Sequence, residues 1–264
     1  MPCPRGTAVI CARCRHFAAA PGTTLCDRCR AAPPAPVGVP AGGGAPEPRP
    51  RSPVGLGWAA AVLLGAVVAA DLFALAADLV QYDALGDLMK DGAGAEAFRR
   101  ADNAGRLVSL AAEGRSVTMV ACVVVYLCWF HRVRANAEVF DPAAQSMARG
   151  WAVAGWFVPV VSLWFPRRIT LDIWHAGAPR GTPRPHLLVN VWWTMWLLTL
   201  LVGRLAKAAY DDAEDAALVH AATGEMMVRD AVDIVAAVLA ILVVVRLTRM
   251  QHERTLVAAV PAAR

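Results

Sequence analysis

The sequence predicts an all-α fold, a polytopic helical membrane bundle, on three observations. Of 264 residues, 57% are apolar and 18% charged, with mean hydropathy +0.45, a balance that soluble domains of this size seldom reach. Four long apolar runs recur, at 54–70, 117–130, 187–203 and 231–245. Ahead of them lie a Cys-rich and then a Pro-rich stretch of quite different composition. The same figures set aside an ordinary soluble enzyme and a chain disordered throughout. The seven Cys are spread too thinly for a disulfide-rich secreted domain.

Four parts are expected: a small zinc-ribbon-like module over 1–30, a Pro/Gly-rich disordered linker over 31–53, a helical transmembrane domain over 54–250, and a cytoplasmic tail over 251–264. The first part earns its description from its cysteines. Cys11-Ala-Arg-Cys14 and Cys26-Asp-Arg-Cys29 are near repeats, eleven residues apart. A Cys-x2-Cys turn presents two thiolates, and two such turns close a tetrahedral four-thiolate zinc site. One structural zinc on Cys11, Cys14, Cys26 and Cys29 is therefore expected, in a module that folds through its metal. Unligated thiols and a redox dithiol are the other readings of these residues. Four thiolates fill the coordination of zinc and leave no position for a substrate. Arg13, Arg15, Arg28 and Arg30 flank the thiolates. They serve charge balance and solubility, with anionic lipid or RNA as the other use of such a patch. Nucleic acid is not the expected partner.

The linker carries Pro at 33, 34, 36, 40, 46, 48, 50 and 53 and Gly at 42–44. Such a composition packs no core and reads as a polyproline-like tether.

Each apolar run is shorter than the roughly 20 residues a span requires, so each must borrow polar flanks. The first can continue through Asp71 to Ala77, the second can start near Leu107, and the last near Met226. A fifth run, 150–165, contains Pro159, is stopped by Pro166, and precedes Arg167 and Arg168. If it enters and leaves from one side, 18 Lys and Arg flank that side of the bundle and 6 the other; if it spans, each side has 12. Cytoplasmic loops concentrate Lys and Arg. The count therefore favours four spanning helices plus a re-entrant segment, with both termini cytoplasmic and the plasma membrane as the bilayer. Five spans remain the alternative. Pro159 should face the bundle, because irregular backbone at membrane depth needs partners from protein or water.

Asp71, Arg115, Arg204, Arg229 and Asp230 fall at one level, about 22–26 Å from the expected cytoplasmic helix ends at 1.5 Å per residue. Charge pairs that fix helix ends are expected there, with an outward vestibule or ion path as the alternative. At the opposite side, Asn136, Trp156, Pro159, Asn190 and Trp193 are candidates for a polar pocket open to the cytoplasm, set against a packed kink without ligand.

The strings CWFHRVRANAEVFDP (128–142), MARGWAVAGWFVPVVSLWFPRRITLDIW (147–174) and LVNVWWTMWLL (188–198) resemble the hallmark segments of the domain-of-unknown-function 4328 family of bacterial membrane proteins. The resemblance runs over roughly 55–250 and implies the architecture, including a Cys-rich ribbon and tether ahead of the membrane domain. It implies no activity, substrate or catalytic residue.

No His-Glu-x-x-His, Gly-x-Ser-x-Gly or Gly-rich phosphate loop occurs, so an enzyme is not expected. The expected function is that of a membrane-embedded adaptor or regulator, displaying its zinc module to an unidentified protein partner. The alternative is a small-solute or ion transporter with a re-entrant segment near Pro159.

Overall fold

The computed structural model describes residues 10–12, 18–21, 23, 24, 26, 27, 30, 50–90, 94–178 and 185–259, with side chains through 256. Cys14, Cys29 and the linker through residue 49 lie outside the described residues. The chain divides into two compact units, Met1–Pro48 and Arg49–Arg264. In the first, Ile10 and Ala18 form an antiparallel bridge, and Ala12 N–H donates to Thr24 O at 2.9 Å.

The described part of the second unit is helical: α1 (Val54–Leu88), α2 (Ala95–Phe140), α3 (Trp151–Ala154), α4 (Phe165–Gly177), α5 (Leu187–Asp211) and α6 (Ala216–Ala259), with a 3-10 turn at Val161–Leu163. Four of these, α1, α2, α5 and α6, are long and apolar enough to cross a membrane. The chain is a multi-pass, all-α membrane protein. The 13 residues of α4 reach only about 20 Å, short of a hydrocarbon core about 30 Å thick.

The helices overrun the limits drawn from hydropathy. α1 continues past Ala77 to Leu88, α2 begins at Ala95 instead of near Leu107, and α6 begins at Ala216 and runs to Ala259. The expected tail is thus helical in its first residues, and Gln251 within it is wholly buried. Hydropathy sees only the apolar middle of a helix. Its polar ends are supported by spaced ion pairs such as Asp102–Arg106 and Lys207–Asp211.

α1 is the central element, packed most extensively against α6 and α2. Its buried residues Gly57, Ala60, Leu64, Val67, Asp71, Ala74, Asp78, Gln81 and Leu85 are spaced alternately three and four apart. That spacing is the seam of a coiled coil, which keeps one face against its neighbours over the whole helix. α6 repeats it with Asp230, Asp233, Ala237, Ala240, Val244, Leu247 and Gln251. The two helices run antiparallel, with Gly57 against Thr248 at one end and the Tyr82 and His220 rings 3.7 Å apart at the other. Small residues permit this approach, since packing in lipid gains little from hydrophobic transfer and much from close contact. A Cβ at Gly57 would collide with the Thr248 side chain.

The main core lies at the end of the bundle that holds α4. It gathers Trp129, Phe130 and Val133 of α2, Ile169 and Ile173 of α4, Val189 and Trp192 of α5, and Val244 and Leu247 of α6. A smaller cluster, Ala74, Ala77 and Ala111, closes the far side of α1 and α2. Between the two clusters, Asp71 falls between Val67 and Ala74 of α1, and Arg115 between Ala111 and Cys122 of α2.

Candidate functional site

The segment between α3 and α4 owes its shape to Pro159. Lacking an N–H, Pro159 cannot donate to the preceding turn, and the chain reverses at once: Val161 N–H bonds Pro159 O at 2.7 Å. Val160 between them has φ 67° and ψ −54°, a strained γ-turn conformation for a β-branched residue. Pro166 then occupies the first turn of α4, where a missing N–H costs nothing. Both ends of the segment are held at one end of the bundle. Arg149 Nη2 lies 2.9 Å from Glu138 Oε2, Ser146 Oγ donates to Asp172 Oδ2 at 2.6 Å, and Arg167 Nη2 donates to Asn190 Oδ1 at 2.8 Å. The segment enters and leaves at the same end of the bundle.

At its deep point, Trp156 inserts between α2 and α5. Its ring centroid is 5.5 Å from Tyr126, 5.8 Å from Phe130, 6.1 Å from Trp193 and 5.6 Å from Trp196. Trp193 Nε1 donates to Leu163 O at 3.1 Å and so ties α5 to the re-entrant turn. The other two pocket candidates are engaged elsewhere. Asn190 is taken by Arg167. Asn136 Oδ1 accepts the Arg51 N–H at 2.9 Å, while its Nδ2 donates to Arg51 O at 2.7 Å and to Gln251 Oε1 at 3.1 Å. Trp156 and Trp193 therefore come together beside the Pro159 turn, whereas both asparagines are consumed by backbone and side-chain groups needing partners.

The charged level resolves into a buried cluster around one guanidinium. Arg115 of α2 places Nε 2.9 Å from Asp71 Oδ1 of α1, Nη1 2.9 Å from Asp230 Oδ1 of α6, and Nη2 against Asp233 Oδ2. Arg229 Nε stands 3.6 Å from Asp233 Oδ2. The Arg229 guanidinium lies over Gly203 of α5, where an added Cβ would come within 3.7 Å of Nε. Arg204, expected at the same level, is exposed and stands outside the cluster: its place on α5 turns it away from the seam.

Sequence reasoning missed two acids here. Asp233 completes the grip of Arg115, and Asp78 is buried within hydrogen-bond reach of Asp230. Spacing held the signal for both. Asp78 follows Asp71 by seven residues, and Asp233 continues the three-four seam from Asp230. Four carboxylates thus share the site with the two guanidinium groups of Arg115 and Arg229. Asp71 is fully buried, and its Oδ2 has no hydrogen-bond partner among the described residues.

Next to the cluster is a cavity of about 320 Å³, with Asp71 and Asp233 at one end and Tyr126, Trp156, Trp192 and Trp196 among its walls. Of the five pocket candidates named from sequence, only Trp156 lines it. In the amino-terminal unit, Cys11 and Cys26 are both buried; among the described residues no three metal-ligating side chains gather.

No curated protein and no solved structure matches the chain. The pattern of the family described as Domain of unknown function (DUF4328) matches residues 90–249, from the start of α2 into α6 and across the whole re-entrant segment, and the chain belongs to that family.

Proposed function

We propose that the protein is a membrane-embedded adaptor or regulatory protein that displays a structural zinc module at the cytoplasmic face of the plasma membrane. The observation that carries this reading is the placement of Cys11 and Cys26. Each Cys-x2-Cys pair contributes one buried cysteine, and the Ala12 N–H to Thr24 O bond joins the stretches that carry them. A segment this short and this poor in apolar residues lacks the surface to bury side chains unaided. A metal shared between the two pairs supplies the missing stability. Cys11, Cys14, Cys26 and Cys29 would hold zinc as thiolates, in a closed site suited to folding and recognition.

The 18-to-6 distribution of Lys and Arg orients the bundle with both termini in the cytoplasm, in keeping with an even number of long apolar helices. The grip of Asn136 on Arg51 fixes the chain where it meets the bundle.

The test has two readouts on the full chain. Purified after careful reduction, it should carry about one zinc, and Cys11→Ser or Cys26→Ser should lower this below about half an equivalent. In-cell crosslinking from residues 1–30 should capture a protein partner, lost in both variants. Less than about half an equivalent in the native chain would overturn the zinc module. Crosslinks indifferent to either substitution would overturn the adaptor reading.

A further inference from the structure

The cavity beside the ion cluster is unlike a packing defect. It holds about 320 Å³, within the range of sites that take small organic ligands. Its walls are mainly apolar and aromatic, and its polar end is formed by carboxylates. We propose that it binds an organic monocation with an apolar body: a protonated amine whose ammonium sits against Asp71 and Asp233 and whose body lies along Trp156, Trp192 and Trp196.

Three observations converge on that chemistry. Asp71 is fully buried and lines the cavity, yet Oδ2 accepts no hydrogen bond among the described residues. A buried acceptor of this kind is costly until it meets a donor. Asp71, Asp78, Asp230 and Asp233 outnumber Arg115 and Arg229; with one proton shared between Asp78 and Asp230, one negative charge is left in excess, so the site favours an incoming positive charge. An ammonium brings both the charge and the N–H donors. The walls then decide which kind of cation fits. A metal ion asks for a shell of oxygen ligands or keeps its water; beyond the two carboxylates, this lining offers chiefly hydrocarbon and rings. Indole faces attract organic cations and also bury apolar groups.

The cavity also has a mouth suited to such a ligand. Met119, Val123 and Phe157 both line it and are exposed, on the apolar surface where α2 meets the re-entrant segment. An amphiphilic amine dissolved in the membrane would reach the carboxylates by that route.

The test uses the full chain in phosphatidylcholine nanodiscs, with binding to empty nanodiscs subtracted. Tritiated naphthylethylamine should bind saturably at a single site, at least about tenfold tighter than the uncharged naphthylethanol of the same shape. Asp71→Asn should weaken amine binding by at least about tenfold. Thr199→Phe, which fills the cavity from α5 and leaves every carboxylate in place, should abolish it, with the melting temperature reporting that the variant is folded. Absence of saturable amine binding by the folded native chain would overturn the proposal. So would equal affinity for amine and alcohol, the behaviour of a cavity filled by neutral lipid tails, or full binding by folded Thr199→Phe. Should Asp71→Asn fail to fold, the amine-to-alcohol ratio of the native chain decides.

Discussion

Asn136 pairs with Arg51 through both backbone groups of Arg51, N–H to Oδ1 at 2.9 Å and Nδ2 to the carbonyl at 2.7 Å. This is how two strands pair, reproduced by one side-chain amide. The same Nδ2 reaches Gln251 Oε1, and Gln251 Nε2 donates to Val133 O at 2.8 Å. Asn136→Leu removes two donors and an acceptor from a buried network, at a cost of about 1–3 kcal/mol. Amide hydrogen exchange at Arg51 should accelerate in this variant while that of mid-α1 stays protected. Unchanged exchange at Arg51 would show that Asn136 does not hold the chain.

Arg115 is the cation for three carboxylates from two other helices. Removing one partner of a buried ion pair typically costs about 3–5 kcal/mol, because the remaining charge stays desolvated. Arg115→Gln should therefore lower the detergent melting temperature strongly. Arg115→Lys should recover only part of the loss, since one ammonium lacks the planar fork that serves several carboxylates at once. A melting temperature for Arg115→Gln equal to that of the native chain would remove the cluster from the stability account.

Gly57, Thr248 and Trp129 join three helices. Trp129 Nε1 donates to Thr248 Oγ1 at 3.0 Å, and Gly57 leaves the room Thr248 occupies. Gly57→Ala forces the helices apart or turns the threonine, an overpacking cost of about 1–3 kcal/mol. Combined with Thr248→Ala, the loss should be smaller than the sum of the single losses, because the clashing hydroxyl is gone. Strict additivity in a double-mutant cycle would show that the two residues do not touch.

The return of the segment around Pro159 to its own end of the bundle predicts a topology that labelling can read. With native cysteines replaced, single cysteines at 180 and 258 should resist a membrane-impermeant thiol reagent in whole cells, and one at 214 should react. Reaction at both 180 and 258 would restore a fifth crossing.

How far the fold could be read from sequence depends on which kind of free energy governed each feature. Helix existence in lipid follows from the transfer free energy of successive side chains and from the need to satisfy every backbone group within the helix. That sum is local, and so Val54, Leu187 and the break at Pro159 were all identifiable. Helix ends were not, because residues 78–88 and 95–106 leave the apolar zone while staying helical, held by tertiary contacts such as Tyr82 on His220.

Sequence alone determined the membrane class, the number of long apolar helices, the proline break and the level at which Asp71, Arg115 and Asp230 meet. It also carried, unread, the three-four seam that buries Asp78 and half-buries Asp233. Only the tertiary structure decided which acids Arg115 holds, that Arg204 faces away, that Asn136 serves Arg51 instead of a pocket, and that a cavity opens between Trp156 and Asp71. Those outcomes depend on the rotation of each helix about its axis and on where neighbouring helices cross. Both are set by the mutual fit of side chains from distant segments, such as Gly57 with Thr248, and no local sum along one helix contains that fit.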